Sequence, residues 1–582
     1  MYGWCGKIVR IDLTSQTWVI EEPARSDYHT FIGGRGLAGH YLAPHIHRNW
    51  DEPEMPLLIF CGPLTHTISP TPGRSTFMSR SPLTGTIGDS SVGGRFGTEL
   101  KKAGLDGMII TGRSCHTVGI EIKDSSIRIV SAEEMKGMTT SEVWDGLKSH
   151  GSVAAIGPAA ENNVRFSSII VDKHYAAGRN GLGLIFAAKN LKYITVSGSG
   201  KTRVFHSENL KKARKEIIRL MAASPAISGR FGISAYGTGA LYDLMDARNM
   251  MPTDNFQKTR FPHASSMNAH AYDKQYQPKK TGCKGCHVQC KKMTETGRSI
   301  PEFETMSHFS ALIGNHDREV VMEANRICNE MGMDTISAAS TLACYQEING
   351  LPISSNKIVE ALLDIAHGKG LAEKLVMGSA RYAQSCGKPD AAITVKMQDL
   401  SAYDPRGALG MALAFAVSTR GACHLRAYPI SHEILRKPVA TNRFQFAGKA
   451  RIIKINEDVH AVVDSLTACK FTFFAASLEE YASVFSAVTG QSVTGQDLLK
   501  IGERICYQER MMNAKNGFSR KDDDLPPRFF IEKKRDLSDS SLKPIDRDAF
   551  QKALSDYYTV RGLDQDGMPV PEKARELGLE WI

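Results

Sequence analysis

A chain of 582 residues, 42% hydrophobic and 23% charged, has the make-up of an ordinary globular protein and the length of roughly three to four domains. Its formal charge of +10 comes in short scattered groups, such as Lys211-Lys212 with Arg214-Lys215, and Lys533-Lys534-Arg535. Scattered positive charge suits an anionic cofactor or an acidic electron carrier; a nucleic-acid binder would need a clustered basic face or a recognisable module, and neither is present.

The opening MYGWCGKIVRIDL has no basic segment followed by an apolar stretch, so no secretory signal is read there. No apolar run approaches the ~18 residues of a membrane span, and the longest, Met411 to Val417, is far shorter. The expected location is cytoplasmic, with no membrane partner. In that reducing setting the twelve cysteines are not expected to form structural disulfides.

Up to about residue 200 the chain reads as strands and tight turns. KIVRIDL, PLLIFCGPL, GMIITGR and HTVGIEIK alternate or cluster β-branched residues between glycines. Gly34-Arg35-Gly36-Leu37-Ala38-Gly39 has dinucleotide-binding spacing. The preceding DYHTF is a poor strand, however, and no acid stands in a suitable place about 20 residues on, so nicotinamide is not expected. Residues 73–104 contain Gly-Asp-Ser-Ser-Val-Gly-Gly, and residues 176–183 read AAGRNGLG. Backbone N–H groups in such loops can cradle an anion, and two loops of this kind fit a phosphorylated cofactor better than one.

From Phe205 the pattern turns helical. Ser207 is placed to cap a helix carrying Leu210, Ala213, Ile217 and Leu220. Further helices are predicted over 317–331, 335–348, 358–375 and 478–484, and a polar tail from about Lys515 is expected to wrap the surface. The reading is α+β: a β-rich base domain over 1–203, then mostly helical domains over 204–392 and 393–582.

Within the looser stretch 252–292, TGCKGCHVQCKK sets Cys283, Cys286 and Cys290 at C-x2-C-x3-C spacing. An Fe4S4 cluster takes four thiolates, commonly three local and one remote, and Cys469 in DSLTACKF is the remote candidate. Zinc or a chance bunching are the alternatives. Glu302 and Glu304 in PEFET, and His424 in RGACHLRAYP, are candidates for proton transfer. Asp334 in MGMDTIS and Asp464 in DSLTAC each stand before an apolar run and read as helix caps.

Taken in order, YGWCGKIVRIDLTSQ, FIGGRGLAG, PGRSTFMSRSPLTG, IGPAAENNVR, AAGRNGLGLIFAAKNLK, the cysteine run, PEFET, GMDTIS, YDPRGALGMALAFAVSTRGACHLRAYP and DSLTAC resemble the aldehyde:ferredoxin oxidoreductase family over most of the chain. The resemblance implies a β-sheet base domain carrying the cofactor under two helical domains. It also implies a tungsten or molybdenum ion held by two pterins, magnesium bridging the pterin phosphates, and a Fe4S4 cluster on Cys283, Cys286, Cys290 and Cys469. Asp334 and Asp464 would meet the pterins, and Arg74 would stand between pterin and cluster. The backbones of Ser91–Gly93 and Ala176–Gly178, with Arg179, would approach the phosphates. Glu304 and His424 would lie near the metal, with Glu302 as the fallback for Glu304.

Ser91 stands where the family usually has asparagine, Asn329 where it often has aspartate, and Tyr175 and Asn180 interrupt an Arg-flanked AAGRGG. No Glu-x-x-His marks a metal shared between subunits; a homodimer or hetero-oligomer stays open. The implied reaction is anaerobic aldehyde oxidation to a carboxylic acid, with ferredoxin or an iron–sulfur subunit taking the electrons. Reduction of an aromatic acyl thioester in a larger complex and a non-catalytic, electron-transfer or zinc-stabilised subunit are the other readings.

Overall fold

The structure is a computed structural model and describes residues 1–370, 372–531 and 543–580; the basic group at 533–535 lies outside the described residues. Two six-stranded mixed sheets form the N-terminal base. The first has the order β2-β1-β6-β3-β4-β5, built from β1 (Ile8–Asp12), β2 (Thr17–Glu21), β3 (Leu57–Phe60), β4 (Ser75–Arg80), β5 (Ile87–Val92) and β6 (Gly107–Thr111). The second runs β11-β10-β9-β12-β7-β8, from β7 (Val118–Lys123), β8 (Ser126–Ser131), β9 (Ser152–Ala155), β10 (Ile169–Val171), β11 (Tyr175–Ala177) and β12 (Leu191–Ser197). β1 pairs parallel with β6 and β7 with β12; the other pairings in these sheets are antiparallel.

Strand side chains alternate between faces, and β3 shows what that does. Leu57 and Ile59 join Val9, Ile11 and Ile110 in the core shared with the second sheet. Leu58 and Phe60 join Ile8, Met78 and Ile109 in a second core. That second core also takes Val462 and Leu466 from the helix Lys449–Leu466, Val484 from Leu478–Thr489 and Ile505 from Gly495–Lys515. Each such side chain contributes about 1.5–3 kcal/mol by leaving water, which is what ties late helices onto the early sheet. A third core is mostly helical and centres on Phe303, Met306, Ile327, Leu342 and Phe415.

The α+β class and the order of sheets before helices agree with the sequence reading, but several local expectations change. The helix Ser207–Ala223 is capped by His206, whose Nδ1 accepts from Asn209 N–H at 3.3 Å, and not by Ser207. The stretch 358–375 breaks into Ser355–His367 and Ala372–Leu375, because the chain turns left-handed at Gly368 and Gly370. The tail is more than a surface wrap. Its helix Arg547–Arg561 buries Phe550, Leu554, Tyr557 and Tyr558, and Arg561 is fully buried against Glu457 and Asp458.

The segment before Gly34 is a helix, Arg25–Phe31, so no strand feeds the G-x-G-x-x-G run. Those glycines serve packing. Gly34 has φ +39°, and a Cβ there would lie 2.3 Å from the Asp464 carbonyl oxygen; one on Gly62 would lie 2.4 Å from the Leu466 carbonyl carbon. The glycine turn is the anvil on which the Asp464 segment rests. Met411 to Val417 lies within a buried helix, Leu409–Val417. Among the described residues no helix is long and apolar enough to cross a membrane.

Candidate active site

A cavity of about 370 Å³ lies where the base domain meets the helical regions, and every candidate residue named above lines it except Cys286. Several separate stretches of the chain converge on it. The hairpin β4–β5 brings Arg74, Ser91 and Gly93, and β11 and its exit bring Ala176, Gly178 and Arg179. The loop between β13 (Lys279–Thr281) and β14 (Lys291–Met293) brings Cys283 and Cys290. Asp464 and Cys469 enter from the end of the helix Lys449–Leu466.

Arg74 is pinned by Nε donating to Ser91 Oγ at 2.9 Å and Nη2 donating to the Ser91 carbonyl. Burial works against its charge, but Cys469, Cys283 and Asp464 outweigh it and strengthen the cation. Burial pushes the Cys469 thiol up to about 11 and Cys290 well above an ordinary thiol, with the neighbouring cysteines adding to both. The sulfurs therefore favour a site that supplies positive charge. Among the described residues, no three His, Cys, Asp or Glu side chains stand close enough to grip a single metal ion.

The approach to Cys283 is tight: a Cβ on Gly93 would lie 2.5 Å from Cys283 Sγ and 3.0 Å from the Tyr175 ring. Gly93→Ala is therefore expected to displace the sulfur. Metal analysis of the anaerobically purified variant should show a lower metal content per chain than wild type; content equal to wild type would mean that the loop yields without cost.

Both aspartates are buried. Asp334 does cap the helix Thr335–Asn349, accepting from Ile336 N–H at 3.2 Å and Ser337 N–H at 3.3 Å, and it also meets Arg179 Nε at 3.3 Å. Asp464 does not cap a helix. It sits in the last turn of Lys449–Leu466, where the carbonyl ends disfavour a negative charge. Lys470 Nζ at 2.7 Å and Arg35 Nη1 at 3.5 Å hold its Oδ2. Burial raises its carboxyl, and these two cations bring it back below the usual range. Its Oδ1 has no protein partner.

Glu304 lies in the first turn of the short helix Phe303–His308. Its Oε2 accepts from Ala402 N–H at 2.8 Å; its Oε1 makes no hydrogen bond within the protein and stands 3.4 Å from His424 Nε2. Burial pushes the Glu304 carboxyl up to about 7. Burial, with Arg179, Arg420 and Lys470 nearby, holds His424 well below an ordinary imidazole, so the ring is neutral. Glu302, two residues earlier, is paired to Lys291 at 2.9 Å and has a 47% exposed side chain. Lys291 keeps its carboxyl ionised and below the usual range.

The sequence reading missed Tyr403, fully buried 5.4 Å from the His424 ring, and Tyr428, whose hydroxyl is 3.2 Å from that of Tyr403. It also missed Lys470, which sits directly after Cys469 and holds Asp464. A cation between a metal-ligand candidate and an acid was the available signal.

Asp464, Glu304, His424 and Arg179 each carry an unpaired buried atom and line one cavity together with a glycine-tight cysteine loop, which fits a large polar prosthetic group. They define a cofactor-dependent enzyme. Residues 8–198 match the family model "Aldehyde ferredoxin oxidoreductase, N-terminal domain", and residues 212–579 match "Aldehyde ferredoxin oxidoreductase, domains 2 & 3". The chain is 34% identical to the tungsten-containing aldehyde ferredoxin oxidoreductase of Pyrococcus furiosus, covering 100% of this chain and 99% of that protein. It is 25% identical to the WOR-like subunit of aliphatic sulfonate oxidoreductase from the same organism, covering 100% and 97%. Its fold is similar to the BamBC active-site complex of benzoyl coenzyme A reductase with 1,5-dienoyl-CoA, with a TM-score of 0.85 at 20% identity over 99% and 97% of the two chains. This chain belongs to the aldehyde ferredoxin oxidoreductase family and is an oxidoreductase, which sets aside the non-catalytic reading.

Proposed function

We propose that the chain oxidises aldehydes to carboxylic acids, RCHO + H2O → RCOOH + 2H⁺ + 2e⁻, and passes the electrons to ferredoxin or an iron–sulfur partner. The observation that carries the reading is the pair Glu304 Oε1 and His424 Nε2, 3.4 Å apart, lining the same cavity as Cys283, Cys290 and Cys469. Asp334 and Asp464 would hold two pterins. The Ser91–Gly93 and Ala176–Gly178 backbones would meet their phosphates and magnesium, and Cys283, Cys286, Cys290 and Cys469 would hold a Fe4S4 cluster. When bound, the pterin-held tungsten or molybdenum supplies the two-electron acceptor, and the cluster relays electrons singly.

The protein's own part is proton handling. Glu304 is fixed through Oε2 to the Ala402 N–H, which leaves Oε1 to take a proton from water. With a carboxyl near 7, it both accepts and releases that proton near neutrality. Neutral His424, with Nε2 toward Glu304, would donate a hydrogen bond to a carbonyl oxygen of the substrate. Tyr403 and Tyr428 wall the pair.

Anaerobic enzyme mixed with a panel of aldehydes and an oxidised viologen dye is expected to reduce the dye. Elemental analysis should give about four iron atoms for one Fe4S4 cluster and one tungsten or molybdenum. The aromatic wall of Tyr403, Tyr428 and Phe474 favours a second reading, reduction of an aromatic acyl thioester. Full metal content with no aldehyde activity, and dye oxidation by such a thioester, would replace the first reading by the second.

A further inference from the structure

Six buried groups form a ladder of charge beside the cavity. Arg35 Nε lies 2.6 Å from Glu509, Glu509 lies 3.6 Å from Arg426, Arg426 lies 2.5 Å from Asp89, and Asp89 lies 3.8 Å from Arg420. Arg420 ends the ladder on Cys423, and none of the six is more than 6% exposed. Arg35 also meets Asp464, which Lys470 holds, so four cations face three carboxylates, and a buried cation without a counter-charge is strongly disfavoured.

The hydrogen bonds at the last rung run one way. Cys423 Sγ accepts from Arg420 Nη2 at 2.9 Å, from Arg420 Nε at 3.2 Å and from Leu425 N–H at 3.3 Å. Every hydrogen bond at this sulfur brings it a donor, which is the environment of an anion and not of an S–H group.

We propose that Cys423 is a buried thiolate that brings these charges to four cations and four anions and positions Arg420 against the cavity. Burial alone would raise the thiol, but Arg420, Arg426 and Arg179 outweigh it and hold Cys423 below an ordinary thiol. Cys344, equally buried, is pushed up to about 12 by burial, with Asp399 and Glu347 adding to the rise and only Arg528 opposing it. Guanidinium has five N–H donors. Arg420 places two on Cys423 and one, from Nη1, on the Asp89 carbonyl. One N–H on each terminal nitrogen remains, and Arg420 lines the cavity, so the pair forms a preset fork for an anionic oxygen bound there. That use of the fork rests on the function proposed above; the ionisation state of Cys423 does not.

The first test is an infrared difference spectrum of the holoenzyme, wild type minus Cys423→Ser, in the S–H stretching region. No S–H band should be lost; loss of one band would overturn the proposal, because wild type would then carry a thiol. If Cys423→Ser does not fold, Arg420→Gln answers the same question. It should gain an S–H band, and an unchanged spectrum would overturn the proposal. The second readout is tungsten or molybdenum and pterin per chain. Cys423→Ser is expected to lose roughly 10-fold or more, as when a partner supporting a bound group is removed. Cys423→Asp, which restores an anion for the Arg420 fork, is expected to recover most of it. Equal retention in the Ser and Asp variants would reduce Cys423 to packing and sink the positioning role.

Discussion

Replacing Glu304 with Gln is expected to lower kcat/KM for aldehydes by about 10²- to 10⁴-fold, the usual contribution of a positioned acid–base group, with iron and tungsten content unchanged. Gln can still accept from the Ala402 N–H that Oε2 uses, so the helix start stays in place and only the proton exchange is lost. The pH dependence separates this from a packing defect. The carboxyl is raised to about 7, so the base form grows as pH rises through that value. Wild-type kcat/KM should climb through about pH 7 and level off above it, while the Gln variant should be flat. His424 contributes no break of its own there, because it is held neutral well below its ordinary range. His424→Asn should bring a loss of the same order. Undiminished turnover of either variant at full metal content would remove the pair from the mechanism.

Asp464→Asn is expected to cost the protein its cofactor and much of its stability. The carboxylate holds Lys470 at 2.7 Å and Arg35 at 3.5 Å, and it is only 2% exposed. Removing one partner of a buried ion pair typically costs about 3–5 kcal/mol, because the other charge is stranded. Arg35 keeps Glu509, so the burden falls on Lys470. The sign of the linkage is clear: a carboxyl held below its usual value stabilises the fold above that value and loses the effect only as pH falls through it. The penalty is therefore undiminished at pH 7. Pterin fluorescence after denaturation, with thermal melting, measures both losses. Asp334→Asn keeps its helix cap, since asparagine caps about as well as aspartate, but it strands Arg179, so a lowered melting temperature is expected there too. Asp464→Asn with wild-type pterin content would show that the unpartnered Oδ1 meets no cofactor.

Much of the architecture was legible in the chain itself. Alternation in KIVRIDL and the continuous apolar run LLIF, buried on both faces, mark strands because each strand residue must face one side of a sheet or the other. Asp334 marks a helix start because a side-chain oxygen there satisfies N–H groups that lack partners. The C-x2-C-x3-C spacing and the glycine loops were visible because local chain geometry limits them. Tertiary structure alone decided the rest. Asp464 stands before an apolar run as Asp334 does, yet it lies at the end of a helix, and only the burial of Lys470 and Arg35 beside it explains a carboxylate there. Glu302 and Glu304 differ by two residues, but Glu302 is the extended residue before the helix and Glu304 lies in its first turn; packing sends one to Lys291 and the other to His424. The FIGGRG glycines imitate a nucleotide turn but exist for the backbone of a segment about 430 residues later. Charge state follows the same rule: a carboxyl near 7 at Glu304 and a chain of buried arginines ending on Cys423 depend on partners distant in sequence, because Coulomb energy and desolvation act through space and leave no local pattern in the chain.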